Sequence, residues 1–176
     1  MGAGRHRYRD GRFDEAIQYF ERATDLADDD FDALGMLTSS YAALGDADGL
    51  QRAARRMLER AERTLTHDNG DVVATSYGAY ALAALGEGVR AKEWIDQALL
   101  IDPANQNMRY NLACAVCVYL KDADLALAVL EPALEMATAA VLAYVETDPD
   151  LAAVRDDPRF AAMLGAARTR TAAAGE

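Results

Sequence analysis

Cysteine and histidine are scarce here, two of each in 176 residues. A four-ligand zinc site would need all four to converge, yet His6 and His67 lie in very different segments. No metal is expected. Long apolar runs are also missing. The stretches "LACAVCVYL" and "AAVLAYV" are each about half of the ~18 residues that a bilayer span needs, so no membrane partner is expected. The start, "MGAGRHRYRDGRF", has charges but no apolar stretch behind them. It does not read as a secretory signal, which points to a cytoplasmic chain. Positive charge is in short supply too, with 18 Lys and Arg against 29 Asp and Glu, a net charge of −11. Such a field repels phosphate backbones and makes nucleic acid a poor partner. The basic start, Arg5, His6, Arg7, Arg9 and Arg12, reads as a solvated helix face or a frayed end.

What is present is apolar and periodic. Apolar side chains make up 52% of the chain, enough to bury a sizeable core as one domain. Four segments align on a turn residue: "YRDGRFDEAIQYFERA" on Gly11, "YAALGDADGLQRAARRM" on Gly45, "LAALGEGVRAKEWIDQA" on Gly86 and "CVYLKDADLALAVLEPA" on Lys121. Five residues past the turn stand Ala16, Leu50, Ala91 and Ala126. Four further on come Phe20, Ala54, Ile95 and Leu130, then Ala23, Met57, Ala98 and Ala133. That spacing is a buried helical stripe, repeated. Before the turns, Leu34, Leu37, Thr38 and Tyr41 correspond to Thr75, Gly78, Ala79 and Leu82, then to Tyr110, Ala113, Cys114 and Cys117. Small residues near the middle of each set let a second helix come close. Each unit therefore reads as two antiparallel helices joined by a tight turn. One such pair cannot bury its own stripe, whereas a stack of them can.

An aromatic-small-aromatic first helix, a Gly turn, an A-x3-[FIL]-x2-A second helix and a trailing proline together resemble the tetratricopeptide repeat. The resemblance covers roughly residues 4 to 135 at a period close to ~34 residues, and "TSYGAYALAALGEGVRAKEWIDQALLIDP" carries it most fully. It implies an all-α, right-handed α-solenoid of about four helical hairpins. Residues 1–135 would form the solenoid, 136–171 its C-terminal capping helices and 172–176 a frayed terminus. The first hairpin has only "GAGRHRYRD" before its turn and looks incomplete, which points to a fragment of a longer polypeptide. The second helix of the second hairpin, about Leu50 to Thr66, carries ~7 residues beyond the period, just under two helical turns. Its stripe continues in phase through Ala61 and Leu65.

Beyond the repeats, Pro132 should kink the second helix of the fourth hairpin. Thr138 caps a further helix whose Val141, Leu142 and Val145 pack across the open end. Asp148-Pro149 and Asp157-Pro158 each offer an N-cap followed by a proline at the first helical position. Leu151, Val154, Phe160, Met163 and Leu164 continue the cover. This ending, with "YNLACAVCVYL" and "ATSYGAYALAALGE", resembles the C-terminal repeat region of bacterial signalling proteins. There, such repeats follow a class III cyclase, a protein kinase or a TolB-like domain.

The chemical candidates resolve into packing. Cys114-x-x-Cys117 lies mid-helix on the inward stripe, whereas a redox dithiol needs an exposed cysteine at a helix N-terminus. The acidic run Asp25–Asp32 lacks the glycine and distal glutamate of a calcium loop and reads as helix capping. His67 reads as a turn residue, with Gly70 helping the chain reverse. With no phosphate loop, H-E-x-x-H or G-x-S-x-G present, neither an enzyme nor a cofactor is expected.

The resemblance also implies a concave face. Carried over by repeat position, it presents Tyr8 from the first hairpin, Asp32, Gly35, Ser39 and Ala42 from the second, and Val73, Ser76, Tyr80 and Ala83 from the third. The fourth contributes Met108, Asn111, Ala115 and Val118. This is a mildly apolar trough without the Lys, Asn and Arg set that clamps a terminal carboxylate, and it suits a neutral extended segment or an amphipathic helix. The expected function is a non-catalytic protein-binding module, regulatory or scaffolding, whose ligand is a peptide, a helix or an upstream domain of the same polypeptide. The alternative is a self-association element that stacks solenoids end to end or dimerises a larger signalling protein.

Overall fold

The computed structural model describes residues 2–27 and 30–173. They form α1 Gly2–Arg9, α2 Phe13–Leu26, α3 Phe31–Leu44, α4 Ala47–His67, α5 Val72–Ala84, α6 Gly88–Ile101 and α7 Gln106–Ala115. α7 runs into a π-helical segment, Val116–Leu120. Then come α8 Ala123–Glu135, α9 Ala139–Thr147, a 3-10 helix Pro149–Val154 and α10 Pro158–Ala173. No strand occurs among the described residues. The fold is the all-α stack of helical hairpins that the sequence predicts. It divides into two compact units between Ile101 and Asp102.

Helix starts and turns follow from local chemistry. The Asp30, Asp46, Asp71, Asn105 and Asp122 side chains each accept a hydrogen bond from the backbone N–H three residues on, at 2.8–3.1 Å. Such a cap stabilises a helix by about 1 kcal/mol. The four aligned turn residues are left-handed, with φ of 73° at Gly11, 77° at Gly45, 83° at Gly86 and 55° at Lys121. After α3 the Asp46 N–H reaches back to the Tyr41 carbonyl at 3.0 Å, and after α5 the Glu87 N–H reaches Leu82 at 2.9 Å. These six-to-one bonds close helix ends only when the residue between is left-handed, which glycine allows without a Cβ penalty.

In the first unit α1 to α6 pack each on the next, and α3 also lies beside α5. The predicted inward positions of α3 and α5 are buried throughout, from Leu34 and Thr38 to Thr75, Ala79 and Leu82. On the second helices Ala16, Phe20, Ala54, Met57, Ala91, Ile95 and Ala98 are buried with them. Gly78 shows why a small residue stands mid-helix. A Cβ built there would run into the Trp94 ring and meet the Ala61 Cβ at 3.2 Å. α4 has the predicted extra length, 21 residues, with Ala61 on its buried side. α1 is short, as expected, at eight residues.

In the second unit α7 and its π-helical end pack on α8, and α10 covers α8. α8 continues through Pro132 to Glu135, and three residues before the proline Arg109 donates to the Val129 carbonyl at 3.2 Å. Thr138 caps α9 as predicted. Leu142, Val145, Leu151, Val154, Phe160 and Leu164 are buried. Val141 departs from expectation and stays 46% exposed. The buried face of this nine-residue helix is taken by Leu142 and Val145, three apart, and Val141 lies to one side of it. Met163 is half-buried. Both Asp-Pro pairs act as caps. The Asp148 carboxylate accepts from the Asp150 N–H at 2.9 Å and Asp157 from the Arg159 N–H at 2.8 Å.

Two substitutions test this packing. Gly78→Ala is expected to lower unfolding free energy by about 1–3 kcal/mol in a urea titration, because the added methyl overpacks against Trp94. Lys121→Gly is expected to be neutral to stabilising, by up to about 1 kcal/mol, because it relieves a left-handed residue that carries a Cβ.

Candidate interaction site

Two elements fix which face a first helix presents: its N-cap and its left-handed turn. In α3 these are Asp30 and Gly45, and in α5 Asp71 and Gly86, the same separation in both. In the fourth hairpin Asn105 and Lys121 stand one residue further apart. The π-helical segment Val116–Leu120 takes up that residue, since a π turn holds one more residue than an α turn. Positions ahead of the π turn are therefore in phase with the cap, and positions after it with the turn.

Burial bears this out. Met108, Leu112, Ala113 and Val116 are buried, as are Ala33, Leu37, Thr38 and Tyr41 at the same distances from their cap. The positions matching Asp32, Gly35 and Ser39 are then Asn107, Tyr110 and Cys114, whereas Val118, inside the π-helical segment, corresponds to Ala42 and Ala83 when counted from the turn. The expected Met108, Asn111 and Ala115 lie one position away. Met108 and Ala115 are buried, and Asn111 and Val118 are half-buried. Counting backwards from the turn gives Met108, Asn111 and Ala115, and counting forwards from the cap gives Asn107, Tyr110 and Cys114. The signal was present, as Lys121 follows Gly86 by 35 residues where Gly45 follows Gly11 by 34.

In the first unit two of the predicted residues meet, Ser39 and Tyr80, and Tyr8, Ser39, Ser76 and Tyr80 are all buried. The Ser39 and Tyr80 hydroxyls share a hydrogen bond of 2.5 Å between α3 and α5, and both residues are buried. Ser76 is buried and donates to the Val73 carbonyl at 3.0 Å. Tyr8 lies in the core cluster of Phe20, Leu37 and Tyr41, its ring edge-on to Phe13 at 5.4 Å. The Asp32 carboxylate is held by Arg5 at 2.5 Å and by the Tyr77 hydroxyl at 3.2 Å. Burial, then that carboxylate, pushes the Tyr77 hydroxyl well above its ordinary pKa. Val73 is the apolar residue of this face that stays half in solvent, 47% exposed.

The fourth hairpin carries the two cysteines, both free and both buried, as expected. Cys114 lies one helical turn on from Tyr110, on the same side of α7. Burial first, then the Asp148 and Asp150 carboxylates, raises the Cys114 thiol well above its usual value. Burial and Asp150 push Cys117 up to about 11 against the opposing pull of Lys121. A reactive dithiol needs the opposite shift. Among the described residues no group of three or more His, Cys, Asp or Glu stands where it would hold a metal ion. Asp28 and Asp29 of the acidic run lie outside the described residues, and Asp30 serves as the cap of α3. No helix among the described residues is long and apolar enough to cross a membrane.

Residues 8–30 match the tetratricopeptide repeat family. That stretch spans the last two residues of α1, the left-handed Gly11 and the whole of α2. No curated protein matches the chain. Among solved structures, a thermophilic tetratricopeptide repeat protein of Thermus thermophilus is similar at 21% identity and a TM-score of 0.49, over 99% of this chain and 96% of that one. A likeness of that size says nothing of function. Repeats of the matched family generally mediate protein–protein interaction.

The thiols give a pH test. The unfolded chain releases thiol protons near ~8.5 and the folded chain only above that. The stability contributed by keeping them protonated is complete below that value and is lost as pH rises above it. Urea midpoints are expected to fall between about pH 8 and about pH 9.5, and a Cys114→Ala, Cys117→Ala variant to show a flatter decline. An unchanged slope would contradict the raised thiol values.

Proposed function

We propose that the chain is a protein-binding module whose ligand, a peptide segment or a helix, lies against the first helices of its hairpins. The observation that supports this most is the regular placing of α3 beside α5. Their facing residues, Ser39 and Tyr80, are polar and bonded to each other, and Val73, about two turns earlier on α5, offers an apolar contact half in solvent. Such a face combines apolar area with a few fixed polar groups, the composition that peptide recognition uses. Tyr80 sets the floor and holds Ser39 in place, and Ser76 and Val73 line its edge. In the second unit the corresponding positions are Asn107, Tyr110, Cys114 and Val118 on α7 and its π-helical end. Tyr8, at the first turn, supports this face from the core.

The finer reading is a regulatory or scaffold region of a cytoplasmic bacterial signalling polypeptide, acting on a domain in cis or on a separate protein. It rests on the resemblance of the 144–170 ending and of the third and fourth first helices to such regions. A field of −11 favours partners of low negative charge. The second reading is self-association, in which solenoids stack end to end through their terminal helices.

Affinity capture from a lysate separates wild type from a Val73→Glu variant, which places a charge at the edge of the face without touching the core. The wild type is expected to retain a discrete set of proteins and the variant to lose most of them. Equal retention by both would remove α3 and α5 as the binding face. Light scattering across a hundredfold concentration range is expected to give a constant monomer mass, and a mass that grows with concentration would favour self-association.

A further inference from the structure

The face of α7 that carries Tyr110 and Cys114 is already occupied. On α3 the matching residues lie against the next first helix. Gly35 faces the Tyr77 ring, 3.0 Å from where its Cβ would be, and Ser39 bonds Tyr80. In the second unit that place is filled by chain that belongs to no repeat. The Tyr110 hydroxyl donates to the Asp148 carboxylate, and the Tyr144 ring stands 5.8 Å from the Tyr110 ring. The 3-10 helix Pro149–Val154 packs along α7 and its π-helical end. Asp148 is only 6% exposed. Its carboxylate also accepts from the Asp150 N–H at 2.9 Å, and Arg155 holds its backbone carbonyl at 2.6 Å. Leu151 and Val154, three residues apart, are fully buried.

These are the parts of a bound peptide: one buried carboxylate that fixes register, a proline that starts a helical turn, and two apolar anchors on one side of it. We propose that residues 148–155 are a self-ligand seated on the α7 face, and that the same face accepts in trans a segment of like chemistry, an acidic residue followed by proline and a turn with two apolar anchors. The proposal deepens the reading that first-helix faces are the interaction surface and rests on it. Two features make the contact releasable. The carboxylate is received by a neutral hydroxyl and a backbone N–H, bonds weaker than those of a guanidinium pair. The segment is also a single six-residue 3-10 helix, a form with poorer hydrogen-bond geometry than an α-helix, so it has little hold on its shape away from this face. A tethered segment competes at an effective concentration of about millimolar, so a free peptide binds the wild-type chain poorly until the self-ligand is loosened.

The test uses the full chain and a fluorescent synthetic peptide of residues 146–157. A Leu151→Ala, Val154→Ala variant is expected to bind that peptide at least tenfold more tightly than wild type, and the bound peptide to slow maleimide labelling of Cys114. The same peptide with Asp148→Asn is expected to bind at least fivefold more weakly. A Tyr110→Phe chain is expected to label at Cys114 severalfold faster than wild type, with helix content and melting temperature nearly unchanged. A double variant that keeps its circular dichroism yet binds no peptide overturns the proposal. If that variant loses its helix content, Tyr110→Phe decides, and a labelling rate equal to wild type overturns it. Peptide binding by the loosened chain when lysate capture retains nothing would uphold the self-ligand and sink the wider reading on α3 and α5.

Discussion

Everything in this chain depends on the distance between a helix cap and the left-handed residue that ends the helix. A cap fixes where the first N–H groups find their acceptors, and a left-handed residue fixes where the chain reverses. Between them the α-helical twist decides which side chains face inward. When two hairpins share the separation, as Asp30 to Gly45 and Asp71 to Gly86 do, their inward faces match and the helices stack without further instruction. One residue more would turn that face by about 100°, a third of the way round. The fourth hairpin has that residue, and the π turn at Val116–Leu120 confines the mismatch to the end of the helix. Its core positions Leu112, Ala113 and Val116 stay buried.

Close approach is the second constraint, and it depends on the first. Gly78 faces Trp94 and Ala61 across a gap that would not admit a methyl group, and Gly49 meets the Tyr41 ring in the same way. A glycine inside a helix costs about 1 kcal/mol relative to alanine, so its place here is explained by the approach it permits. The gap is at the right place only because cap and turn hold the helix in register. At the helix ends arginines complete the work. Arg56 donates to the Thr24 carbonyl at the end of α2, and Arg170 to the Leu134 carbonyl at the end of α8, each at 2.6 Å. Carbonyls left over at a helix C-terminus carry partial negative charge, which a guanidinium neutralises.

Much of this was legible in the sequence because it is local. Gly11, Gly45, Gly86 and even Lys121 were recognisable as turn residues from the stripes that follow them, and all four prove to be left-handed. The long α4, the caps at Thr138, Asp148 and Asp157, and the buried cysteines were legible for the same reason. Contacts between segments far apart in sequence were not. Nothing in "DPDLAAV" announces that its first carboxylate will be buried against Tyr110, or that Asp32 will meet both Arg5 and Tyr77. The π turn was half legible. The extra residue can be counted between Gly86 and Lys121, but where the helix would absorb it depends on packing against α8 and the 3-10 helix.

That single residue also decides what Cys114-x-x-Cys117 is for. In an unbroken α-helix counted from the turn, the two thiols would sit on the inward stripe with Ala79 and Leu82. Counted from the cap, Cys114 moves to the position of Ser39, beside the hydroxyl of Tyr110, on the side where the first unit places Tyr80. A thiol suits that position because it is small, tolerates burial and accepts a polar neighbour only weakly. Burial and the two nearby carboxylates then keep it protonated. The dithiol spacing is thus a consequence of the inserted residue and of what lies over α7, and its chemistry is that of a covered surface rather than of a redox centre.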